Sequence, residues 1–439
     1  MAHSIGVIGT PHDQFKIRWA DKMARGLSAY AILQDKFPFR EAEKTGESFV
    51  MPVLTKRVSG GTRAAAQAGA VTFNDIRTSV IEKATLKGSQ YWNWNGCDEE
   101  AALASMGEQK AWTPEFDLAM RDLYDTGSFH LELALLWGQF PLGSIGQLDA
   151  NPIANVFVLT PESTAPGILY NLVGHELEVF SLDLTTKRTG THVVTAVDPE
   201  AGTITVTDDG NVVDTDVIFL KDEVVEGAPA THKTGAGLAV WATPATTLAG
   251  LSTATRPTWK PTEIDAAGES LSFDMLIQAA KNVQNRGFAG KLCALVSPDG
   301  WTDAMNDMSA TVRRQAGDRK YVLGAEAISF YTGTGEIEVI SDPYQKKGYA
   351  HVFPVAQKPL SEYEDAELDN LPCRRIGASD LVFVGPDGKT SKAFRESYFY
   401  KLQGTNVIVA EVYSHQALFV GYRSRLVTIS GITNSVDAA

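Results

Sequence analysis

Apolar residues follow two rhythms along this chain, and the places where the rhythm changes mark its parts. Phe15, Trp19, Met23, Leu27 and Tyr30 recur every three or four positions with charged residues between them, the stripe of an amphipathic helix over 15–33. Phe116, Met120, Leu123, Tyr124, Gly127, Leu131 and Leu135 trace a longer stripe. It predicts a helix from Thr113 to Gly138, with Thr113 as N-cap and Pro114 in the first turn, where its missing N–H costs nothing. A third stripe, Phe273, Leu276, Ile277, Ala280 and Val283, predicts a helix over 272–286 stopped by Gly287, and a fourth helix starts at Pro298. Strand rhythm dominates elsewhere. Short strands are expected at 153–159, 177–182, 191–197, 203–207 and 217–220, with a proline- and glycine-bearing turn at 198–202. Further strands follow at 292–296, 327–331, 336–340 and 349–355, and closing strands at 407–412 and 418–429.

The stretch 39–70 stands apart. Phe49, Met51 and Val53 alternate with polar residues, glycines stand at Gly46 and Gly60–Gly61, and Lys44, Lys56, Arg57 and Arg63 crowd into it. It reads as an extended basic hairpin arm. The chain as a whole is acidic, with 39 Lys plus Arg against 53 Asp plus Glu and a formal net charge of -14. A basic, half-apolar limb on an acidic body suits contact with another copy of the same chain. The same balance argues against sequence-reading of DNA, which relies on cations displacing counterions.

Composition adds bounds. With 439 residues, 44% hydrophobic and 21% charged, the chain is an ordinary globular protein with room for several domains. Three cysteines, Cys97, Cys293 and Cys373, are far apart and unpaired in pattern, which fits a reducing cytoplasm. The first residues lack the basic start and apolar core of a signal peptide, and no apolar run reaches membrane-spanning length.

No catalytic constellation emerges. There is no G-x-S-x-G elbow. Gly385 to Thr390 resembles the end of a phosphate loop, but Phe383 occupies the place of its first glycine, so a hairpin turn is the better reading. His175-Glu176 opens like a zinc-protease motif, but Val179 stands where the second histidine is needed. No cofactor or metal is expected, and the chain is not read as an enzyme. The aromatic run Tyr91-Trp92-Asn93-Trp94 suits a core or an interface anchor. Two charge clusters remain, a basic one with Arg313, Arg314, Arg319 and Lys320, and an acidic one with Glu362, Glu364, Asp365, Glu367 and Asp369. Each is a solvated face on the plainer reading. On the other, they meet between copies and set register.

The order of parts resembles the major capsid protein family of tailed bacteriophages, the Hong Kong 97-like fold. The residues carrying the likeness are Gly46 to Gly61, Thr113 to Gly138, the run Ser252 to Trp259 leading into the helix at Ser272, and Gly421-Tyr422-Arg423-Ser424-Arg425. The resemblance implies an α+β chain: N-terminal arm 1–36, extended loop 37–70, peripheral domain with spine helix 71–166, inserted small β-barrel 167–234, axial domain 235–373, and closing peripheral strands 374–439. It implies a structural subunit that self-assembles into pentamers and hexamers of an icosahedral virion head, put together in a host cytoplasm. Packaged double-stranded DNA would be held without sequence-specific contacts. Scaffold, portal and decoration proteins are further implied partners, and no membrane is. The expected intersubunit contacts are Lys44, Lys56, Arg57 and Arg63 in the loop, Phe15, Trp19 and Met23 in the arm, and Arg313, Arg314 and Arg319 in the axial basic loop. Lys44 and Lys56 are also where a family-type covalent cross-link would start, which is not expected here. An encapsulin-like compartment shell shares the fold. A cytosolic carbohydrate- or peptide-binding protein is the reading from another class.

Overall fold

The computed structural model describes residues 31–42, 48–58, 75, 78–98, 109–227, 231–244, 247–307, 321–322, 325–332, 335–358, 362–368, 371–386, 388–392, 400–401 and 407–435. The first half runs α1 (Ile32–Lys36), β1 (Phe39–Glu41), β2 (Ser48–Lys56), β3 (Val80–Lys87), β4 (Ser89–Asp98) and the long α2 (Gln109–Trp137). Then come β5 (Gly146–Gln147), β6 (Val156–Val158), β7 (Glu176–Phe180), β8 (His192–Asp198), β9 (Thr203–Val206) and β10 (Val217–Leu220). The second half holds β11 (Thr262–Asp265), α3 (Phe273–Asn285), β12 (Leu292–Val296), α4 (Pro298–Asp307), β13 (Tyr321–Val322) and β14 (Ala325–Thr332). It ends with β15 (Gly335–Ser341), β16 (Ala350–Pro354), β17 (Cys373–Val384), β18 (Val407–Val420) and β19 (Val427–Ser430). The chain is thus mixed α+β, with many strands and few helices. It divides into a smaller unit that includes 91–129 and 381–413, and a larger one that includes 130–380.

The larger unit is built on a seven-stranded sheet in the order β11-β19-β16-β12-β15-β14-β13. Its middle strands, LCALV and AHVFP, are buried at every position, as continuous apolar runs covered on both faces must be. β12 pairs β15 in parallel and β16 antiparallel. Helix α3 seals one face, its Leu276, Ala279, Ala280 and Val283 joining Leu292, Ala294, Val296, Val339, Val352 and Ile429 in one core. The Ser272 hydroxyl accepts the Met275 N–H at 3.3 Å, satisfying a first-turn donor, and Gly287 at φ +73° ends the element. Ile277, placed on the apolar stripe from sequence, is instead exposed, and Ala279 is buried, because the buried face is centred on Leu276, Ala280 and Val283 and leaves Ile277 at its edge.

Six short strands form a second sheet in the order β5-β10-β7-β8-β9-β6. A Leu148–Leu159 bridge joins its two ends, with Thr160 N–H donating to Gln147 O at 2.9 Å and Asp149 N–H to Val158 O at 2.9 Å, so the order returns on itself. Phe180, Val217, Phe219 and Val224 pack together. The turn at 198–202 is made by the Asp198 carboxylate accepting from Glu200 and Ala201 N–H, each at 3.1 Å, and by Gly202 at φ +64°. Arg188 grips the buried Asp216 through two hydrogen bonds of 2.8 and 2.7 Å. This sheet begins at Gly146, earlier than the change of rhythm at 167 suggests. The expected strand at 153–159 shrinks to Val156–Val158, because Ala154 and Asn155 turn through positive φ.

The smaller unit holds β4 paired with β18, and Tyr124 of α2 lies 5.7 Å from Phe383. The phosphate-loop lookalike is a hairpin turn: Gly385 N–H donates to Lys389 O at 2.9 Å, and Gly388 N–H to Gly385 O at 3.0 Å. Two sequence expectations are corrected. α2 begins at Gln109, so neither Thr113 nor Pro114 marks its start. The closing strands also part company. β19 enters the seven-stranded sheet between β11 and β16, where Val427, Thr428 and Ile429 are buried, so both of its faces are covered.

Candidate functional site

The basic arm does form a hairpin, but its second strand lies farther along the chain than 39–70. β2 pairs with β3, from Ser48↔Lys87 to Lys56↔Val80. Phe39–Glu41 belongs elsewhere, as β1 lying parallel to β17. Strand alternation gives the hairpin two faces. One carries Phe49, Val53, Ala84 and Leu86, all buried. Phe49 stands 5.2 Å from His415, and a Cβ on Gly88 would come within 2.6 Å of Phe49 Cε2 and 2.8 Å of His415 Nε2. Only glycine lets the chain pass there. A lone two-stranded hairpin is marginal in water, so this packed root is what holds it.

The other face looks outward. Leu54 and Ile81 sit directly across from one another and are 57% and 64% exposed. Val80 and Val58 are exposed as well. Pro52 lies within β2; proline in a strand fits an edge position and blunts uncontrolled pairing. On the β3 side Thr85 N–H is bonded to Ala249 O at 2.9 Å, and Glu82 pairs with Arg256. That guanidinium holds the Glu82 carboxyl below its ordinary range.

Lys56 and Arg57 are exposed at the end of β2. The charge of Arg57 reaches Arg425, whose own pKa is lowered, first by burial and then by that neighbour. Arg425 stacks on Tyr422 at 4.2 Å and faces Phe288 at 5.3 Å. Arg57 and Arg425, the latter held against Tyr422 and Phe288, form a basic patch suited to carboxylates. The sequence pointed to Lys56 and Arg57 but not to Arg425, which is distant in the chain.

Of the other sequence-selected contacts, Lys44, Arg63, Phe15, Trp19, Met23, Arg313, Arg314 and Arg319 lie outside the described residues. The acidic cluster is partly described. Glu362, Glu364 and Glu367 are exposed, and Glu367 pairs with Lys358 at 3.0 Å. In the smaller unit, Trp92 and Trp94 of β4 are 57% and 56% exposed, with Trp92 resting against Tyr413 at 4.2 Å. Tryptophans left this open are not core residues, and an exposed indole has the apolar body and polar tip that suit a contact surface. Sequence reading missed Leu54 and Ile81 because the strand that pairs them was not recognised. The signal was the pattern of VIEKATLK at 80–87.

Among the described residues no group of three or more His, Cys, Asp or Glu could hold a metal ion, and no helix is long and apolar enough to cross a membrane.

No protein-family pattern and no curated protein matches the chain. Several solved structures resemble it along most of their length. The capsid asymmetric unit of cyanophage A-1(L) is 12% identical, with 95% of this chain and 97% of that chain covered and a TM-score of 0.49. The capsid of the native GTA particle is 9% identical, covering 98% of this chain and 100% of that chain at a TM-score of 0.47. The holo-SrpI encapsulin complex of Synechococcus elongatus PCC 7942 is 8% identical, covering 96% and 95% at a TM-score of 0.42.

Proposed function

We propose that this chain is the structural subunit of a closed, phage-type protein shell, and not an enzyme. The observation that supports it is the hairpin. Its root is packed into the larger unit, while its far half presents an apolar pair, Leu54 and Ile81, and the charges Lys56 and Arg57 to the outside. Burying an aliphatic side chain fully is worth about 1.5–3 kcal/mol, so a neighbour covering this face recovers part of that at every copy. Contacts this modest suit closed assembly, because misplaced subunits can leave before the shell completes.

In this reading the hairpin lies across a neighbouring subunit, and the tryptophans of β4 anchor a second contact. Pentamers and hexamers close into an icosahedral virion head. The seven-stranded sheet with α3 and α4 is the axial domain, α2 with β17 and β18 belongs to the peripheral domain, and the closed six-stranded sheet is an inserted β-barrel. The net charge of -14 suits a container that holds double-stranded DNA without gripping it. Electron cryomicroscopy of the expressed protein tests the proposal. Closed shells support it, and a stable monomer at micromolar concentration overturns it. Nucleic acid in native particles separates a virus head from a compartment for protein cargo.

A further inference from the structure

The run Gly421-Tyr422-Arg423-Ser424-Arg425 carries a guanidinium buried without a carboxylate partner among the described residues. Arg423 opens the short 3-10 turn Arg423–Arg425 and is fully buried. Its Nε donates to Trp241 O at 3.0 Å and its Nη2 to Thr243 O at 2.7 Å. Both carbonyls stand at the end of the short helix Leu238–Ala242. Arg423 Nη1 is buried as well, and no acceptor is within reach of it among the described residues. Two tryptophans pack here with the same deficit. Trp241 and Trp259 are buried, with their rings edge to face at 6.0 Å, and neither indole N–H meets an acceptor among the described residues. Trp259 closes the 3-10 turn Pro257–Trp259, which lies against Arg423–Arg425. Phe419 covers the group, its ring 6.3 Å from that of Trp241.

Every unmet group in this cluster is a donor. A guanidinium Nη1 carries two N–H bonds and each indole one, and none of these nitrogens accepts. Buried groups of this kind ordinarily find partners, and an unpaired buried cation is costly. The charged side chains around the cluster do not supply the missing acceptor. Glu82 is bound to Arg256, just ahead of the Pro257 turn, and Glu263 accepts from the Ser430 hydroxyl at 2.9 Å. Arg374 lies 5.1 Å from the Phe419 ring, and Arg425 is stacked on Tyr422, so the further charges are positive. Burial lowers the Arg423 pKa to about 10, so the group is still a cation at pH 7. A water offers two lone pairs to these N–H bonds and brings two donors that need acceptors of their own. One anion accepts from all of them and cancels the charge.

We propose that Arg423 Nη1 and the indole N–H groups of Trp241 and Trp259 hold one small inorganic anion of the halide class inside the larger unit. A single charge matches the one guanidinium left unpaired. A phosphate would bring further oxygens and further charge that this donor set does not meet. The anion joins three stretches that are distant in the chain, 238–243, 257–259 and 423–425, and is enclosed as they close on one another. It thereby fixes the turn from which β19 enters the seven-stranded sheet. The site stands whether or not the chain builds shells.

The melting temperature of the full chain at pH 7 tests this, measured in sodium bromide and in sodium gluconate at equal ionic strength. Gluconate is too large for an enclosed site and controls for screening. Bromide should raise the melting temperature along a saturating curve, by about 3 °C once it stands one hundredfold above its half-saturating concentration. Trp259→Phe keeps an aromatic ring and removes one donor, so it should raise the half-saturating concentration by about tenfold. Arg423→Met removes the charge and should abolish the bromide response. The Trp259→Phe arm decides the matter if Arg423→Met fails to fold. No bromide-specific rise in the unmodified chain leaves these donors to water and overturns the site. The same bromide curve in Trp259→Phe places the anion elsewhere and overturns it too.

Discussion

Single residues in this chain carry costs that fix both its packing and its pH response. Gly88 has no space for a side chain beside Phe49 and His415. Gly88→Ala should therefore destabilise the hairpin root by about 1–3 kcal/mol through overpacking, read as a lower midpoint in denaturant. His351 is buried, with Nδ1 3.2 Å from the Thr428 hydroxyl and Nε2 without a partner. Its pKa is lowered from 6.5 to about 3 by burial. The folded state therefore keeps it neutral while the unfolded chain takes up a proton as pH drops below about 6.5. The stability it contributes is present above that pH and is lost progressively down to about 3. His351→Phe removes this titration, so the fall in melting temperature between pH 6.5 and 4.5 should be smaller in the variant. An equal fall in both proteins would show that other groups, such as His130, carry the acid response. These features were out of reach of the sequence. Nothing in the runs AHVFP or LEL says that one histidine and one glutamate inside them are fully buried, because burial depends on which strands and helices come to lie around them.

Elements were more legible than their partnerships. Helix α3 and strands β8 to β10 emerge nearly where they stand, since α3, β8 and β9 bury one main face and β10 is a short apolar run buried throughout. The hairpin shows the limit. Alternation at Phe49, Met51 and Val53 identifies β2, but its partner β3 lies beyond a connection of more than twenty residues, and local turn chemistry cannot find it. For the same reason Leu54 and Ile81 were invisible as a pair. They give the most direct test of the proposed assembly surface. Leu54→Glu with Ile81→Glu changes only an outward face, so the melting temperature should stay nearly unchanged while sedimentation shifts from large particles to small species. Unchanged particles would remove the hairpin face from the interface. Reversing charge at Lys56 and Arg57 probes the basic patch. At low ionic strength the loss of assembly should be large, and at 1 M salt, where the screening length is about 3 Å, it should nearly vanish.

At the scale of the whole chain, local periodicity does not tell where the N-terminal segment becomes part of the packed body. Periodicity joined 15–33 into one helix, and the resemblance set the arm's end at Lys36, yet buried residues of α1 fall inside that stretch. Ile32, Leu33 and Phe37 are buried, Glu132 holds the first turn, and Phe37 meets Phe353 at 5.3 Å. Two truncations separate the arm from its anchor. Removing 1–30 leaves this packing intact, so thermal stability should change little, and in the shell reading subunits should still associate but fail to close uniform particles. Removing 1–36 also deletes two buried aliphatic side chains and the salt bridge from Lys36 to Glu338. Cavity formation alone makes this cost about 2–5 kcal/mol per large side chain. The longer deletion should therefore melt well below the shorter one, as measured by calorimetry at the same pH. If both melt alike, α1 is not an anchor. If the shorter deletion still forms uniform shells in micrographs, the arm has no part in closure, whatever the hairpin does.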